Sequence, residues 1–67
     1  MVWKRIIDLR EEKDWTQTKV AQMLNVSQRA YSHYENGTRQ LPIEILIKLS
    51  KIYNVSVDYI LNLSDKK

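Results

Sequence analysis

Cysteine is absent from the 67 residues, and glycine and proline occur once each. Without thiols the chain can build neither a disulfide framework nor a thiolate metal site or nucleophile, and this composition suits a reducing cytosol. A single glycine (Gly37), a single proline (Pro42) and no long β-branched alternation argue against a sheet protein. No apolar run approaches the roughly 18–20 residues of a membrane span, and no apolar leader follows Met1. His33 is the sole histidine, with no Cys or carboxylate cluster to complete a metal site. Glu11, Glu12 and Asp14 lack a pocket, a glycine-rich loop and any nucleophile partner, so they read as a solvated helix end. No catalytic residue, metal or cofactor is therefore expected, and an enzyme is the disfavoured class.

What is present suits one small domain spanning 1–67, near the lower size limit for folding without staples. Apolar residues make up 43% of the chain, enough for a core and too many for a disordered tail. The net charge of +3 and the pI of about 9.3 are compatible with a polyanionic partner. At this size such a charge also serves plain solubility, so placement has to decide.

The apolar spacing is helical throughout. Ile6, Ile7 and Leu9, preceded by Val2 and Trp3, predict a first helix; Val20, Ala21 and Leu24 line a second. Ile43, Leu46, Ile47, Leu49, Ser50 and Tyr53 trace a later stripe, and Val57, Ile60 and Leu61 a last short one before a tail, 64–67, expected to fray. Three helix starts share one device: Trp15-Thr16 before Val20, Val26-Ser27 before Tyr31, and Val55-Ser56 before Ile60. In each, a hydroxyl accepts from first-turn amides while the apolar residue ahead of it packs on the one five positions later. Asn25, Asn36-Gly37 and Asn54 mark the stops, since Asn and Gly tolerate the left-handed backbone. Pro42 fits a first helical turn.

Only Leu24, Asn25 and Val26 separate the second and third helices, which forces a steep crossing, with small Ala21 at the closest approach. The expectation is an all-α bundle of about five short helices over a core of Ile6, Leu9, Val20, Ala21, Leu24, Val26, Tyr31, Tyr34, Leu46, Leu49 and Tyr53. At about 100° per residue, Gln28, Arg29, Ser32, His33 and Asn36 share an arc of roughly 140° on the third helix, with Ala30, Tyr31 and Tyr34 behind. A merely solvated face mixes Glu with Lys. This one carries side chains suited to base edges, Gln for adenine and Arg for guanine, and only Glu35 at its margin is acidic.

The segment TQTKVAQMLNVSQRAYSHYENGTRQ resembles the Cro-type phage-repressor, or xenobiotic-response-element, helix-turn-helix family. The likeness extends from Leu9-Arg10 to Val55-Ser56-x-Asp58 and VSVDYIL, and includes Thr16-Gln17, Ala21, Val26-Ser27 and Tyr34-Glu35-Asn36-Gly37. It implies a lambda-repressor-like DNA-binding domain with the helix-turn-helix proper at 16–36. Gln28, Arg29, Ser32 and His33 would then face bases. Gln17, Asn36, Thr38 and Arg39 would hold phosphates, Gln17 also bracing Gln28, and Arg10 and Glu35 would form a structural ion pair. Asn25 stands where the family often has glycine and Tyr31 where it has a branched aliphatic, so Tyr31 needs a roomier core or an exposed hydroxyl. Leu41-Pro42 shifts the usual proline by one residue, and Ile43 offers no charge to a minor groove.

The resulting expectation is a cytoplasmic transcriptional regulator, a repressor, reading double-stranded DNA as a homodimer on a near-palindromic operator with half-sites about 34–36 Å apart. Val57, Tyr59, Ile60 and Leu63 are the expected dimer surface. The alternative is a protein-interaction module or antitoxin-like partner on the same scaffold.

Overall fold

A computed structural model describes residues 3–67; Val2, expected ahead of the first helix, lies outside them. The chain forms α1 (Lys4–Glu12), α2 (Gln17–Leu24), α3 (Gln28–Asn36), α4 (Ile43–Tyr53) and α5 (Val57–Ile60), with no strand among the described residues. The hydroxyls of Thr16, Ser27 and Ser56 each accept from the amide three residues on, at 3.1, 3.1 and 3.0 Å, which satisfies a donor that the first turn leaves orphaned. Helix α1 has no such cap. Instead the Trp3 N–H donates 2.9 Å to the Glu35 carbonyl, tying the start of α1 to the end of α3. Pro42 precedes the first turn of α4 by one position and accepts from the Leu46 amide through its carbonyl.

The helix ends follow backbone chemistry. Asn25, Gly37 and Asn54 close α2, α3 and α4 at φ of 60°, 79° and 54°. An L-residue with a Cβ is strained there, whereas Asn is compensated locally and Gly has no Cβ. Replacing Asn25 with Gly is expected to leave stability within about 0.5 kcal/mol, while Asn25→Ala should cost about 1–2 kcal/mol, as urea unfolding would measure.

Ile6, Leu9, Val20, Ala21, Leu24, Tyr31, Tyr34, Leu46, Leu49 and Tyr53 are buried together, as the apolar spacing predicts. Val26 is half-buried, covering the elbow between α2 and α3 from outside. The α4 stripe differs from expectation. Ile43 and Ile47 are 74% and 43% exposed, and Ile45 is buried with Leu46, Leu49 and Tyr53. The run IEILIKLSKIY carries two overlapping helical stripes, and the seating of α4 against α2 and α5 selects the one through Ile45.

Ile60 is a correction to the expected dimer surface: at 2% exposure it belongs to the core, as the apolar partner of Val55 across the Ser56 cap. Val57 and Tyr59 are half-buried, and Leu63 is exposed. Residues 64–67, expected to fray, lie back on the fold. Arg5 donates to the carbonyls of Tyr59 and Ser64 and pairs with Asp65 while its guanidinium covers the Tyr59 ring. The Ser56 amide donates to the Lys67 carbonyl.

Candidate nucleic-acid interface

Helices α2 and α3 meet at Asn25-Val26-Ser27. The left-handed Asn25 turns the chain sharply, and the Val26 N–H donates 3.0 Å to the Ala21 carbonyl. With only a methyl at Ala21, buried, α3 can approach α2 closely. The inner side of α3 is then clamped by Tyr31, Tyr34 and Glu35. On the outer side Gln28, Arg29 and Asn36 are exposed and Ser32 and His33 half-buried. Thr38 and Arg39 lie exposed just beyond the helix, whose end is closed by the Arg39 N–H donating to the His33 carbonyl.

A buried polar chain ties this helix to the body. Glu35, only 3% exposed, is held by Arg10 through Nε to Oε2 at 2.7 Å and Nη2 to Oε1 at 3.3 Å. Arg10 also donates 2.9 Å to the Trp15 carbonyl, so one guanidinium joins α1, the α1–α2 loop and α3. Gln17 donates 3.0 Å to Glu35 and accepts 2.7 Å from Gln28, linking the buried carboxylate to the exposed face. The pair is bidentate and shielded, unlike an exposed salt bridge worth little. Burial opposes ionisation of Glu35 and is the largest influence on it. The donors around it outweigh that cost, led by Arg10, and hold the carboxyl below its ordinary value. The hydrogen bond to Glu35 in turn raises Arg10.

Of the two accommodations expected for Tyr31, the exposed hydroxyl is not taken: the residue is wholly buried with its hydroxyl inside the core. That hydroxyl faces Glu35 without a well-formed hydrogen bond, and the Tyr53 hydroxyl is likewise buried and unpartnered. Burial pushes Tyr31 well above its usual value, and Tyr53 up to about 12. Both phenols therefore stay neutral beside the ion pair. The half-buried Trp15 ring, 5.8 Å from that of Tyr53, covers this cluster. Composition alone does not expose these phenols as polar neighbours of Glu35, because tyrosine spacing reads simply as core.

A family model for helix-turn-helix proteins matches residues 6–60. The chain belongs to the helix-turn-helix family. Among its relatives, this helix-turn-helix chain is 40% identical over 58 residues to the HTH-type transcriptional regulator ImmR of Bacillus subtilis, covering 87% of the chain and 46% of that protein. It is 39% identical over 57 residues to the cryptic phage CTXphi transcriptional repressor RstR of Vibrio cholerae, covering 85% of the chain and 51% of that protein. It is also 36% identical over 56 residues to the antitoxin PezA of Streptococcus pneumoniae, covering 84% of the chain and 35% of that protein. Of these relatives RstR is by name a phage repressor and ImmR a transcriptional regulator, in keeping with the likeness seen in the residues. The chain spans about half the length of ImmR and RstR. Among the described residues no helix is long and apolar enough to cross a membrane.

Proposed function

We propose that this chain is the DNA-reading unit of a cytoplasmic transcriptional regulator, a repressor, and that α3 enters the major groove of double-stranded DNA. The observation that carries this reading is the two-sided third helix. Its back is locked by Tyr31, Tyr34 and the Arg10–Glu35 pair, while Gln28, Arg29, Ser32 and His33 stand on its outer side. A helix held so rigidly presents bidentate donors and acceptors to base edges at fixed positions. Phosphate contacts from Gln17, Asn36 and Arg39 set the register, and base contacts carry the sequence information. One such helix covers too few base pairs for useful discrimination, so the binding species is a homodimer on a near-palindromic site with half-sites about 34–36 Å apart. Val57, Tyr59 and Leu63 remain the candidate dimer surface.

Selection of binding sites from random duplexes tests this. Arg29→Ala should relax base preference at one position and cost about 1–3 kcal/mol. Arg39→Ala should weaken binding to all sequences alike and flatten the salt dependence by roughly one phosphate. If both variants bind as the parent does, the assignment of the face fails. The likeness to an antitoxin favours a second reading, a protein partner on the same scaffold. Salt separates the two, since DNA affinity should drop steeply as salt rises, in proportion to the phosphates neutralised.

A further inference from the structure

The chain's one imidazole ends a short hydrogen-bond chain whose proton positions follow from a backbone amide. The Thr38 N–H, which can only donate, lies 3.0 Å from the outer amide atom of Asn36, so that atom is the oxygen Oδ1 and not the nitrogen. Thr38 Oγ1 lies 2.7 Å from the same oxygen. Two oxygens that close need a hydrogen between them. An amide carbonyl has none, so the Thr38 hydroxyl proton points at Asn36. The hydroxyl has no second proton to give. Its 2.7 Å contact with His33 Nδ1 must therefore have the ring as donor. A neutral imidazole carries one N–H, so Nε2 is left as an acceptor. No hydrogen bond engages it among the described residues.

We infer that Thr38 and Asn36 are positioning residues that hold His33 as its Nδ1–H tautomer, so that Nε2 accepts from an amino group in the major groove, N4 of cytosine or N6 of adenine. The inference rests on the DNA-reading role of α3 proposed above. Guanine and thymine offer the major groove only acceptors, O6 and N7 or O4, which leave the Nε2 lone pair unmatched. Thr38 is also moved out of the expected phosphate set. Phosphate oxygens only accept, and both Thr38 donors are already committed to Asn36. Asn36 keeps its Nδ2 hydrogens for a phosphate, and Arg39 is unaffected. A doubly protonated ring would donate from Nε2 and reverse the preference, so the measurement belongs in buffer where imidazole is neutral.

The experiment pairs site selection from random duplexes with nitrogen-15 spectra of the imidazole, which are unambiguous because there is one histidine. The parent should prefer one base pair, in one orientation, at one position of each half-site, since the strand that carries the amino group sets where the donor lies in the groove. His33→Ala and Thr38→Val should both lose that preference at the same position, with affinity for the preferred site falling roughly five- to tenfold, whereas Thr38→Ser should keep it. The spectra should place the proton on Nδ1 in the parent and in Thr38→Ser, and move it toward Nε2 in Thr38→Val. The inference is overturned if the parent carries its proton on Nε2 or keeps its preference after Thr38→Val. In those cases DNA binding itself stands. Failure of the parent to bind any duplex would overturn this inference and the DNA-reading role together.

Discussion

Arg10→Ala is expected to lower stability by about 3–5 kcal/mol, because it leaves the Glu35 carboxylate buried with its principal partner gone. Against a typical total of about 5–15 kcal/mol, that brings a domain of this size close to unfolding at ambient temperature. Replacing both partners, Arg10→Met with Glu35→Leu, should recover most of the loss, since no buried charge then remains. Urea titration followed by tryptophan fluorescence separates the three proteins. Equal midpoints for Arg10→Ala and the parent would rule out the pair as a structural tie. Acid should act in the same direction. Glu35 titrates below its ordinary value, so the stability it adds is fully present above about pH 4.3 and is lost as the pH falls through the lower folded value. The double variant should show a flatter acid limb. If it regains stability yet binds DNA poorly, the pair's contribution is the aim of α3, since Gln17 would have lost the acceptor that steadies it under Gln28.

Leu24→Ala should cost about 2–5 kcal/mol, whereas Met23→Ala, one position away, should stay within about 0.5 kcal/mol. Leu24 is 1% exposed in the last turn of α2, at the inside of the elbow, and Met23 is 44% exposed on its outer flank. Truncating Leu24 leaves a cavity that the neighbouring α3 cannot fill, because its start is pinned by the Ser27 cap and its end by Glu35. Thermal unfolding of the two variants decides the matter. Comparable melting temperatures would mean that the elbow is not filled as described. DNA affinity should drop with Leu24→Ala beyond what the unfolded fraction explains if the angle between the two helices sets the approach to the groove.

Much of the architecture is legible before any coordinates. The hydroxyl caps at Thr16, Ser27 and Ser56 and the Asn and Gly stops are local devices, decided by which backbone atoms lie within a few residues. They predict helix boundaries and the short turn between α2 and α3. Gln28, Arg29, Ser32 and His33 fall on one arc for the same reason, since 3.6-residue periodicity needs no tertiary information. The places where local reasoning falls short are those where two arrangements satisfy the same pattern. Ile43 and Ile47 repeat every four residues as well as any buried pair, yet they face outward. Ile60 belongs to an apolar run that suits a partner surface and a core equally, and the fold buries it.

By itself, the order of residues determined the all-helical class, the helix starts at Thr16, Ser27 and Ser56, the stops at Asn25, Gly37 and Asn54, and the tight elbow at Asn25, because caps, turns and periodicity act over one to five positions. Only the tertiary structure decided which α4 stripe faces inward, that the Tyr31 and Tyr53 phenols sit beside the Arg10–Glu35 pair, and that Arg5 holds the last residues against α1. The same division holds for His33: its place on the outer arc is periodic, but its proton is placed by Thr38 and Asn36 beyond the helix end. The reason is physical. Distances between residues far apart in the chain depend on how helices are seated, and a seating is chosen by the summed packing of every face at once.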